Sequence, residues 1–83
     1  MDKRLSGVCS IFERQIKATK IEIENKENRL RRIETLIAQM SSNANPDTAA
    51  INGLKEEGTL IEIELENDRN ALAVMEEEFS MRC

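Results

Sequence analysis

The chain has 83 residues, a net charge of −4 and charged side chains at 34% of its positions; Phe12 and Phe79 are its only aromatic residues, and His, Trp and Tyr are missing. A chain of this length forms one domain at most. Its Glu, Lys, Arg, Leu, Ile, Asn and Ala alphabet suits long helices and argues against an enzyme built around a concave apolar pocket.

The N-terminal stretch MDKRLSGVCSIF mixes basic and apolar residues without a continuous apolar run, so it does not read as a signal peptide. Nowhere does an apolar run approach the roughly 20 residues that span a bilayer. The expectation is an intracellular, soluble protein, cytoplasmic by default and without a membrane partner.

A first helix is expected over about 6–41. Ser10 and Glu13 have the spacing of a capping box, which would leave residues 1–9 as a frayed end or a separate turn. One stripe along this helix collects Leu5, Cys9, Phe12, Ile16, Thr19, Ile23, Lys26, Leu30, Ile33, Ile37 and Met40. Past Leu5 its spacing alternates between three and four, the a/d signature of a heptad abcdefg.

The segment SSNANPDT at 41–48 clusters Ser, Asn and Pro and marks a loop over 41–46. Pro46 biases Asn45 away from helical backbone. Asn45 is therefore the expected N-cap, with Pro46 at the first helical position and Asp47 in the first turn.

A second helix is expected over about 46–81. Its stripe is Ile51, Leu54, Gly58, Ile61, Leu65, Asp68, Leu72, Met75, Phe79 and Arg82. Asn52-Gly53, Gly58 and a Thr59/Glu62 capping box allow an alternative start near Thr59.

The short loop makes the helices antiparallel neighbours. Placing Met40 opposite Ile51 generates a register. Ile37 then faces Leu54, Ile33 faces Gly58, Leu30 faces Ile61, Ile16 faces Met75, Phe12 faces Phe79 and Cys9 faces Arg82. Lys26 and Asp68, the charged intruders in the two stripes, fall one layer apart and can pair to set register. Outside the seam, Arg29 can reach Glu57 or Glu64, and Lys20 can reach Glu76. The halves are electrostatic complements. Residues 1–41 carry nine Lys/Arg and six Asp/Glu, or +3; residues 42–83 carry three and ten, or −7.

The phrases TKIEIE at Thr19 and TLIEIE at Thr59 alternate with the period of a strand. A lone two-stranded ribbon is marginal in water and would break both stripes, so the helical reading is preferred. On helices, Ile23 and Ile61 enter the seam while Ile21 and Ile63 fall at f. With Ile11, Leu60 and Val74 they form an expected outer face that recruits further helices. The expected fold is all-α: an antiparallel two-helix coiled-coil hairpin that dimerises into a four-helix bundle.

Chemistry is sparse. The carboxylates Glu62, Glu66 and Glu76–Glu78 read as the solvated face of an acidic helix. Glu-x-x-His pairs, phosphate-binding Gly loops and zinc spacings do not occur. The expectation is no catalytic residue, no cofactor and no metal. Cys9 and Cys83 meet at the open end in this register. Free thiols are the favoured expectation, with a disulfide across that end, or between chains, as the alternative. Lys17, Lys20, Lys26, Arg29, Arg31 and Arg32 form a basic stretch that could grip phosphates. The acidic total and the lack of stacking aromatics disfavour nucleic acid. In length and shape the chain is similar to small helical hairpins that serve as secretion chaperones, assembly factors or subunits of larger complexes. The expected function is a non-enzymatic interaction module whose partner is itself or another helix.

Overall fold

The structure, a computed structural model, describes residues 5–83, with side chains from Gly7 onward. Lys3 and Arg4 of the N-terminal stretch lie outside the described residues, and so does the side chain of Leu5, the first stripe position. A single π-helical turn, Leu5–Cys9, leads directly into helix α1, Ser10–Ser41. Helix α2 spans Thr48–Arg82. The two pack antiparallel as a helical hairpin, and no strand occurs among the described residues. Both IEIE phrases are helical.

The π turn makes the Ser10–Glu13 box unnecessary. Cys9, already in right-handed helical backbone, occupies the N-cap of α1 and makes no side-chain cap. The first amides of α1 therefore follow a preceding helical turn rather than a free end.

At the other end of α1 the chain turns within a few residues. Ser42 and Asn43 close the last turn, the Ser42 hydroxyl donating to the Gln39 carbonyl at 2.9 Å and the Asn43 amide to Met40 at 3.3 Å. The expected N-cap of α2 is corrected here. Asp47, not Asn45, caps the helix: its φ and ψ are −82° and 94°, and its carboxylate accepts from the Ala50 amide at 3.1 Å. Pro46 thus precedes the cap instead of opening the helix. A carboxylate at this position accepts an orphan N–H and also places negative charge at the positive end of the helix dipole.

The late start near Thr59 is also overturned. Helix α2 is continuous through Gly53 and Gly58, and the Thr59 hydroxyl donates back to the Lys55 carbonyl at 3.0 Å, inside the helix. Burial of the stripe outweighs the roughly 1 kcal/mol that each glycine costs in a helix.

The core is a cluster of Ile33, Ile61 and Leu65, against which Ile23, Leu30, Ile37 and Leu54 pack. It lies in the loop-side half and the middle of the hairpin. Towards the open end Phe12, Ile16, Leu72, Met75 and Phe79 are only half-buried, until Cys9 is again buried. The result is a rod of 66 × 14 × 13 Å. It exposes 6035 Å², against about 5,000 Å² for a globular chain of this mass. Among the described residues no helix is long and apolar enough to cross a membrane.

Candidate interaction faces

The hairpin adopts the expected register. A Cβ placed on Gly58 would meet Leu30 and Ile33 at 3.5 and 3.7 Å, so Gly58 sits against the layer assigned to it. Nζ of Lys26 lies 2.6 Å from Oδ2 of Asp68 and 3.5 Å from Oε1 of Glu64. Arg29 pairs with Glu57 at 2.6 Å, and Lys20 with Glu76 at 3.4 Å. Glu64 is engaged by Lys26, which leaves Glu57 to Arg29. One pair was not anticipated: Arg69 reaches Glu27 at 2.7 Å. Both residues occupy e positions in facing layers, so the heptad assignment contained that signal.

All twelve apolar seam residues expected from the stripes are buried or half-buried: Phe12, Ile16, Ile23, Leu30, Ile33, Ile37, Leu54, Ile61, Leu65, Leu72, Met75 and Phe79. In their midst the Asp68 hydrogen bond holds the Lys26 ammonium above its ordinary pKa of 10.5. Partial burial opposes this shift, and the charges of Asp68 and Glu64 add to it.

Cys9 and Cys83 form a disulfide, with Cα atoms 6.0 Å apart. This overturns the favoured expectation of free thiols. The antiparallel register carries the last residue of α2's path back to the π turn, within the Cα range that a disulfide requires. The bridge closes the half-buried end of the rod, opposite the loop.

The exposed apolar residues are sided. In helix order around the axis, b and e lie on one flank of the seam, c and g on the other, and f opposite it. In an antiparallel pair e meets e and g meets g. The Glu27–Arg69 and Lys20–Glu76 pairs mark the e flank, and Arg29–Glu57 marks the g flank. Ile11, Leu60, Val74 and Met81 are exposed at c, Val8 and Leu36 at g, Ile21 and Ile63 at f. Among the described residues no large exposed apolar side chain falls at b or e. The b/e flank instead carries an open groove lined by Glu27, Arg31, Glu62, Glu66 and Arg69 around Leu30 and Leu65.

The outer-face residues therefore divide. Ile11, Leu60 and Val74 share the c/g flank, contributed by both helices. Ile21 and Ile63 lie on the backs of their own helices, directly away from the seam, and form the margins of that flank rather than its centre. The two-residue spacing within each IEIE phrase sets this position, because a step of two along a helix turns by about 200°.

Comparison of the chain with protein-family models, with curated proteins and with solved structures finds no match.

Proposed function

We propose that this chain is a non-enzymatic protein-interaction and oligomerisation module. It closes on itself through the a/d seam and recruits further helices through the c/g flank, as a coiled-coil scaffold does. The observation that carries this reading is the sidedness of the exposed apolar residues. Ion pairs occur on both flanks, but the b/e flank has no large exposed apolar side chain among the described residues, while the c/g flank presents Ile11, Leu60 and Val74 to solvent. Scattered surface apolar residues are ordinary; a set gathered on one flank and missing from the other is what a binding surface would leave. The extended, 66 Å rod leaves that face uncovered.

The favoured partner is a second copy, giving a four-helix bundle. A different helix, bound as a small chaperone or assembly factor would bind it, is the alternative. Nucleic-acid binding is weakened by the engagement of Lys20, Lys26 and Arg29 with acidic residues of α2. The Cys9–Cys83 bridge favours an oxidising compartment over the cytoplasm.

Light scattering on a sizing column, under non-reducing conditions and over a range of concentrations, tests the reading. A dimer that Leu60→Asp with Val74→Asp converts to a helical monomer supports self-association. A wild-type monomer that stays monomeric at high concentration refutes it.

A further inference from the structure

The two helices present different charges on the flank that recruits. At the c, f and g positions of α1 stand Arg14, Arg29 and Arg32 against Glu22, a balance of +2. The same positions of α2 carry Glu56, Glu57, Glu64, Glu77 and Glu78 with no base, a balance of −5. Glu57, Glu64 and Glu78 are engaged within the chain by Arg29, Lys26 and Arg82; the charges left over, Arg14 and Arg32 against Glu22 on α1 and Glu56 with Glu77 on α2, keep the same opposite signs. Two copies can meet face to face around a two-fold axis in only two ways. An axis across the rod lays α1 on the partner's α1 and α2 on the partner's α2, so −5 meets −5. An axis along the rod lays α1 on the partner's α2 and puts +2 against −5 at both contacts.

Resting on the self-association reading above, we infer that this flank is occupied by a second copy of the chain, related by a two-fold axis along the rod. Both loops lie at one end of the bundle, and both Cys9–Cys83 bridges lie at the other. Each helix then has only antiparallel, oppositely charged nearest neighbours, the arrangement that flanking charges select in helix bundles.

The layer order within one chain carries over to the partner, because an axis along the rod preserves height. Arg14 comes level with the partner's Glu77, and Ile11 with its Met81. Ala18 comes level with the partner's Val74. At mid-rod Asn25 meets the partner's Asn67, both at c, a polar layer of the kind that fixes register at some cost in stability. The area is sufficient. A face of 66 by 14 Å offers roughly 900 Å² per copy, or roughly 1,800 Å² in all, within the range of stable specific interfaces.

The test is a distance between loops. Asn43→Cys, in the full chain with the Cys9–Cys83 bridge intact, takes a nitroxide spin label at the loop. Pulsed dipolar spectroscopy then reads the separation between copies, and light scattering reads the mass of the same sample. A dimer with labels under about 30 Å apart, the width of two helix layers plus the label arms, is the expected result. A dimer with labels separated by nearly the 66 Å length of the rod overturns the arrangement while leaving self-association standing. The mass of a single copy overturns both.

Discussion

Removing the disulfide is the most informative perturbation. The bridge joins residues 74 apart in sequence. Closing a loop of that length in the unfolded chain costs about 15 cal/mol/K, so the cross-link contributes about 4.4 kcal/mol at 25 °C. Unfolding 83 residues carries an entropy of about 0.17 kcal/mol/K, which converts this into a fall in Tm of up to about 25 °C. The loss should also be uneven. The buried cluster of Ile33, Ile61 and Leu65 lies away from the bridge, whereas Phe12, Ile16, Met75 and Phe79 beside it are only half-buried. Without the bridge the open end has little apolar burial to hold it, and a segment with few buried contacts opens at low free energy. The assay compares wild type with Cys9→Ser/Cys83→Ser at one protein concentration. Urea unfolding is followed by helical circular dichroism, alongside amide hydrogen exchange. Expected are a loss of several kcal/mol and deprotection concentrated in residues 10–20 and 70–82. A loss under about 1 kcal/mol, or deprotection spread evenly to the loop, would refute the reasoning.

Three further outcomes are expected. Leu65→Ala, at a side chain only 2% exposed, should cost about 2–4 kcal/mol in urea unfolding, as large-to-small core changes do. Gly53→Ala should stabilise by about 0.5–1 kcal/mol, since a Cβ there meets nothing within 4 Å and the backbone is helical. Lys26→Met should destabilise, with a pH signature that can be read from Tm. The Lys26 ammonium binds its proton more tightly in the folded chain than its ordinary 10.5. Its contribution is therefore complete below about pH 10.5 and lost as pH rises through the higher folded value. The Tm gap between wild type and variant should hold constant from pH 7 to 9 and narrow only above that; a gap that narrows between pH 5 and 7 would assign the effect to another group.

Much of the hairpin is legible in the sequence. Two stripes with alternating spacing, a single Pro-containing loop and a hairpin register were enough to place Ile33 by Gly58 and Lys26 by Asp68. They also placed Arg29 by Glu57 and Lys20 by Glu76. Heptad periodicity is local, so each residue's angle about its helix follows from counting. The outer face was legible only in part. Counting puts Ile21 and Ile63 outside the seam at f; that they stand at the margins of the flank carrying Leu60 and Val74 emerges from how the two helices lie together.

Local periodicity therefore settles the helices, their buried stripes and the layer at which each pair meets. The tertiary structure decided where α2 begins, because Asn45 and Asp47 both have capping side chains, and the local path of the loop brings only the Asp47 carboxylate to the Ala50 amide. It decided the state of the two cysteines, because a bridge between residues 74 apart depends on register accumulated along the whole rod and on the π turn at its end. It also decided that the apolar surface is one flank of a hairpin rather than two separate helix stripes. That property belongs to neither helix alone; it arises because an antiparallel pair brings c and g of both helices to the same side.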